Sequence, residues 1–255
     1  VQFTSTTGRA HTRPQGKLMT TISRAIRWPG YLAVTLLVLI PLAVLTVRSG
    51  NWQQGLILYA VACAASGLLL AWFVLALLLP WFRNQRGAVL RFGAATVPGA
   101  VLLAAVLAAP DVPPIHDITT DVNDPPRFSD TVVEARGEKA NALDIDSEVI
   151  EQQREAYPDL STLVSETSIR DTFERSEKIA RDLGWEILST DLNAGRIEAV
   201  DTTAIMGFKD DVVIRVSSNA DGTRVDLRSV SRVGVSDLGA NAERIREFTA
   251  AFRQG

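Results

Sequence analysis

The stretch from Arg228 to Asn241 holds the side chains best suited to bind something: Arg228, Ser229, Ser231, Arg232, Ser236, Asp237 and Asn241. On a strand, successive side chains point to opposite faces. Arg228 and Arg232 then share one face, and Ser229 and Ser231 take the other. Gly234 allows a sharp turn into a helix whose first residues are Ser236 to Gly239. A helix N-terminus beside two guanidinium groups favours an anion, such as a phosphate or a carboxylate. The competing reading is internal. In it, Ser236 or Asp237 caps the helix, and the arginines pair with Asp201, Asp210 or Asp211.

Other chemistry is thinly represented. His116 stands near Asp117, Asp121 and Asp124, and clustered carboxylates do hold hard cations. Calcium-loop spacing is absent, however, and Asp and Asn are what turns use, so a structural segment without metal is expected. Cys63 is the single cysteine and lies in an apolar run. That excludes an intramolecular disulfide and a thiolate metal site. No Gly-x-Ser-x-Gly elbow, phosphate-binding Gly-Lys-Ser/Thr loop or dinucleotide fingerprint occurs. Apart from His11 near the start, His116 is the only histidine. Neither catalytic residues nor a cofactor are expected. An enzymatic alternative would be a hydrolase or transferase using carboxylates such as Asp117 and Asp211.

The elements that must position these residues are legible from periodicity. Ser168 and Asp171 form a capping box for a helix with Phe173, Ser176, Ile179, Ala180 and Leu183 on one face, ended by Gly184. Strands are predicted over Trp185–Thr190, Arg196–Ile205, Val212–Ser218 and Thr223–Val233, with a hairpin loop at Asn219-Ala220-Asp221-Gly222. A closing helix, Asp237–Phe252, carries Leu238, Ala242, Ile245, Phe248 and Phe252 on one face. Upstream, 111–165 is rich in Pro, Asp and Asn. It reads as an extended arm with a short helix over Ser147–Ala156.

A charge split divides the chain near Pro110. The first 110 residues contain nine Lys and Arg and no Asp or Glu. The rest holds 17 basic and 29 acidic residues, a balance of −12, which repels nucleic acid. The front part also carries the apolar runs: Trp28–Val47, Gly55–Phe82 and Ala88–Ala109. Roughly 20 apolar residues cross a bilayer core as a helix, so the lipid bilayer is the expected partner. Lys17, Arg24 and Arg27 precede the first run, Arg83 and Arg86 lie between the second and third with Arg91 near the beginning of the third, and the first loop has only Arg48. The bias places the N-terminus and second loop in the cytoplasm. The acidic domain then faces the far side of a bacterial inner membrane, the periplasm. Ala60, Ala64, Gly67 and Ala71 form a stripe of small residues, expected to pack against the other two spans or to form a dimer contact. Residues 1–27 read as a disordered cytoplasmic tail. Its first 18 residues could also be an unused upstream start before Met19.

Two segments carry a resemblance. One is Pro114-Ile-His-Asp-Ile-Thr-Thr-Asp121 followed by Asp124-Pro-Pro-Arg-Phe128. The other is Arg228-Ser-Val-Ser-Arg-Val-Gly-Val-Ser-Asp-Leu-Gly-Ala-Asn-Ala-Glu-Arg-Ile245. Gln152–Asp159 and Gly207–Val212 also fit. Over about 111–253 the chain resembles the domain of unknown function 1499 family, in a membrane-anchored bacterial version. Some members carry cysteines near the start of the domain, and this chain has none there. The resemblance implies a domain boundary and no activity.

The expected architecture is a three-helix transmembrane region, 28–110, then the arm, 111–165, then a two-layer α+β domain, 166–255. That last domain has an antiparallel meander and two flanking helices. The expected function is a membrane-anchored envelope protein whose acidic domain binds a small anionic ligand or an envelope protein. The alternatives are the hydrolase or transferase above and a structural subunit of a membrane complex.

Overall fold

The computed structural model describes residues 21–219 and 222–254. The predicted tail up to residue 20 lies outside them, as do Ala220 and Asp221 of the hairpin loop.

Three helices are long and apolar enough to cross a membrane: α1, Arg24–Arg48; α2, Trp52–Leu78; and α3, Arg86–Leu107, preceded by a 3-10 turn over Pro80–Gln85. The predicted second span runs on to Phe82, but Pro80 breaks it earlier. Proline lacks the N–H that would continue the ladder, and it starts the short turn instead. Gly93, Pro98 and Gly99 weaken the third span on paper, yet α3 runs through them. Gly99 is there for proximity: a Cβ on it would lie 2.3 Å from Ser66 Oγ. Of the small-residue stripe, Ala60, Ala64 and Ala71 are exposed, while Gly67 packs against α3, where a Cβ on it would lie 2.7 Å from the Leu103 side chain. Gly55, Ala62, Cys63, Ser66, Phe73 and Ala76 are the buried residues of α2. Leu68 and Leu78 are over 70% exposed, as suits an outer surface made for lipid.

The chain divides into two compact units. One takes α1 as far as Ile40 with Ala60–Leu103; the other takes Pro41–Tyr59 with Ala104 onward. The second unit contains an antiparallel sheet. Its strands are β1, Asp117–Thr119; β2, Leu163–Ser165; β3, Glu186–Asp191; β4, Arg196–Thr202; β5, Lys209–Asn219; and β6, Gly222–Ser231. The order is β1-β6-β5-β4-β3, and β2 also pairs with β6. The predicted meander is therefore extended on its far edge by two short strands from the segment read as an arm. That segment also forms α4, Asp130–Arg136, and α5, Ser147–Ala156.

Two helices cover one sheet face: α6, Ile169–Asp182, and α7, Ala240–Gln254. Ser168 caps α6 as expected, accepting from the Asp171 amide. Phe173, Ile179, Phe248 and Phe252 meet Val212, Ile214, Val225 and Leu227 of the sheet. Trp185, Phe248 and Phe252 stack in series at 5.8 and 6.1 Å. The predicted apolar face of α7 needs one correction. Leu238 is exposed and outside the helix, because Leu238 and Gly239 adopt φ of 56° and 88°, which is incompatible with a right-handed turn. Gly195, with φ 61°, turns β3 into β4. A Cβ there would lie 2.0 Å from the Val216 carbonyl oxygen.

Candidate functional site

The predicted site residues separate by face. Ser229 and Ser231 lie opposite Val212 and Asp210 on the helix-covered face. Arg228, Val230 and Arg232 point to the other face, under the segment that runs through α4. The helix N-terminus and the two arginines thus stand on opposite sides of the sheet, and period-two alternation keeps them apart.

On the helix face, Asn241 joins Ser229 and Ser231. Ser229 Oγ donates to Asn241 Oδ1 at 2.6 Å, and Asn241 Nδ2 donates to Ser231 Oγ and to the His116 carbonyl, both at 3.0 Å. A residue that spacing did not single out completes the cluster. Buried Arg244 donates to Asp210 at 2.6 Å, Asp201 at 2.8 Å, Asn241 Oδ1 and Ser229 Oγ. The signal was available: Arg244 lies three residues after Asn241, on the same helix stripe. Asp237 caps α7 from outside, accepting from the Gly239 and Asn241 amides, and Ser236 Oγ accepts from Leu238. Burial pushes the Asp237 carboxyl above its usual range, as does nearby Asp210; the two backbone N–H groups pull it down. Burial also raises the Tyr157 phenol, with Asp237 adding to it. The buried Tyr157 hydroxyl has no hydrogen-bond partner among the described residues.

On the other face, Arg228 forks onto Asp117 at 2.9 and 2.6 Å and donates to the Leu143 carbonyl. Asp211, fully buried, is shared by Arg232, at 2.7 Å, and Arg136 of α4. Burial pushes the Arg136 guanidinium down, and Asp211 opposes that. Arg215 holds Asp121, Asp124 and Asp226 at 2.8–3.1 Å. The carboxylates considered for metal or acid–base work are thus spoken for. His116 Nδ1 faces the Val235 carbonyl at 3.3 Å. Among the described residues, no three of His, Cys, Asp and Glu gather to hold a metal.

Arg232 also lines a cavity of about 260 Å³. With it stand Arg136, Lys139, Lys209 and Arg48, the last residue of α1. No carboxylate lines this cavity among the described residues. Lys139 and Lys209 are exposed, and neither reaches a described carboxylate within ion-pairing distance. Arg48 is held by carbonyls instead, donating to Ala204 and Ile205 at 3.1 and 3.0 Å. The lysines escaped notice because 70 positions separate them in sequence and neither belongs to a motif. A second cavity of about 220 Å³ shares Trp52, Phe208 and Val233 with the first, and adds Leu56, Leu238 and Asp237.

These features define an antiparallel-sheet domain with flanking helices, carried behind three helices long and apolar enough to cross a membrane. Residues 117–252 match the model of a family described as protein of unknown function (DUF1499), and the chain belongs to that family. No curated protein matches the chain.

Two outcomes follow from the ion pairs and the cap. Asp211→Ala leaves two guanidinium groups uncompensated beneath α4. It should cost about 3–5 kcal/mol, read as a drop in the thermal midpoint of the solubilised protein. A midpoint within a degree of wild type would show that Asp211 is not a shared counter-ion. Asp237 has the opposite sign from a salt-bridged acid. Its folded-state pKa is raised, so the fold binds its proton more tightly than the unfolded chain does. Stability from this group is full below about pH 4 and is lost as pH rises through the folded-state value. Asp237→Asn keeps an acceptor for the cap and removes this loss. Midpoints from pH 4 to 7 should fall less in the variant than in wild type, and parallel curves would refute the assignment.

Proposed function

We propose that α1–α3 anchor the chain in a bacterial inner membrane with the N-terminus cytoplasmic and the sheet domain periplasmic. In that position the domain binds a small anion in the cavity around Lys139, Lys209 and Arg232. One observation carries the reading. Five cationic side chains line a cavity that has no lining carboxylate among the described residues, and four of them belong to the part of the chain whose overall balance is −12. Asp211 offers one negative charge to two guanidinium groups, so even the paired arginines leave an excess. Converging like charges raise the free energy of the empty site, and an anion relieves that repulsion. Arginine forks match phosphate or carboxylate oxygens, while lysines act as point charges that tolerate several poses. Of the residues singled out by sequence, Arg232 belongs to this site. Arg228, Ser229, Ser231, Ser236, Asp237 and Asn241 support the frame around it.

The test uses full-length protein in zwitterionic detergent. Inorganic phosphate should raise the thermal midpoint. The stabilisation approaches ~2.7 kcal/mol at about a hundredfold excess over Kd, and it shrinks with added sodium chloride as screening sets in. Lys139→Gln with Lys209→Gln should remove most of the rise and leave the anion-free midpoint unchanged or higher. If neither phosphate nor sulfate moves wild type, the anion site is refuted.

Orientation has its own test. Alkaline phosphatase fused after Gly255 should be active, and the same enzyme fused after Arg86 inactive. The reverse pattern would invert the topology.

A further inference from the structure

We infer that the anion is the phosphate of an anionic lipid headgroup, held where the α1–α2 corner meets the sheet domain. The inference rests on the anion-site reading and names its ligand. Three observations point from a free anion toward an amphiphile. The first is the wall of the cavity. Val47 and Trp52 stand beside Arg48 at the corner between α1 and α2, so the basic cavity opens where an apolar span ends. Arginine and tryptophan at the end of a span are interface residues, and a headgroup phosphate resides at that depth.

The second is the continuity of apolar surface. The neighbouring cavity shares Trp52, Phe208 and Val233, and Leu56 and Leu238 extend its apolar lining away from the cations. Asp210 and Asp237 also line it, but Arg244 holds the first and the Gly239 and Asn241 amides hold the second. Cation-lined and mainly apolar spaces side by side suit a molecule with a charged head and a hydrocarbon body.

The third is an unexplained cost. Ile205, Val235 and Leu238 are 63%, 74% and 63% exposed on the two loops that line these cavities. Leu238 also holds φ of 56°, a region that disfavours a branched apolar side chain. A residue that gains nothing from the protein interior and sits in a strained conformation needs another environment to account for it. The lipid interface is such an environment. It accepts the three side chains, and the adjacent cations select anionic over zwitterionic lipid by charge complementarity.

The experiment places full-length protein in nanodiscs of phosphatidylcholine, with or without phosphatidylglycerol. Hydrogen exchange is read over 203–209 and 232–239, and native mass spectrometry reads the lipid retained on release. Phosphatidylglycerol should slow exchange in both segments and be retained in preference to phosphatidylcholine. Lys139→Gln with Lys209→Gln should cut that preference about tenfold. Ile205→Ser with Val235→Ser, at exposed positions that leave the core intact, should weaken lipid retention while keeping the thermal shift by inorganic phosphate. If phosphate stabilises wild type but phosphatidylglycerol behaves as phosphatidylcholine does, the lipid inference is overturned and the anion site stands. If neither ligand has an effect, both are overturned.

Discussion

Pairing between arginine and carboxylate across the second face of the sheet is the constraint on which the rest of this domain depends. A two-layer α+β domain ordinarily leaves one sheet face to water. Here that face is charged and covered, with Asp211 and Arg228 almost wholly buried. Buried charge is costly unless its partner is in place with good geometry. The chain after β1 therefore cannot lie on the sheet in an arbitrary register. Asp117 lies opposite Val230 and reaches diagonally to Arg228, and a two-residue slip of β1 toward Arg232 would carry it away from that partner. The apolar face, with its stacked aromatic rings, supplies the driving force for folding. The charged face admits one arrangement of the covering segment.

The same arginine-rich composition has two fates in this unit. Arg215, Arg228 and Arg244 are each satisfied by carboxylates. Arg48, Lys139 and Lys209 are not, although the unit has acid to spare. A chain with surplus carboxylates that withholds them from one cavity has that cavity's charge as a feature of its surface.

Much of this was legible in sequence because local patterns carry it. Ser168, Asp171 and the apolar face from Phe173 to Ala180 describe α6 almost to the residue. The three apolar runs mark α1 to α3, since a span needs only length and apolarity. The site was less legible, for a geometric reason. Alternation correctly paired Arg228 with Arg232 and Ser229 with Ser231. Which face α7 would cover depends on the whole topology, and no local pattern encodes that. The strands β1 and β2 are three residues each, too short for any period to show. Lys139 and Lys209 come to line one cavity because the Arg136–Asp211 pair ties the end of α4 to β5. Leu238 had the right spacing for a helix face, and two left-handed backbone conformations overrode it.

The position of β6 in the sheet has a consequence in time. It is the last strand to be made, yet β1, β2 and β5 all pair with it. Asp117 and its partner Arg228 are 111 positions apart. At ribosomal rates this separation means a wait on the order of ten seconds between the two partners. During that wait Asp117 has no counter-ion and β1 no edge to join. The nascent segment must stay extended and soluble until β6 emerges. Its density of Pro and Asp is well matched to that interval: proline lacks a ladder donor and negative charge opposes association, so the waiting chain is a poor template for premature strand pairing.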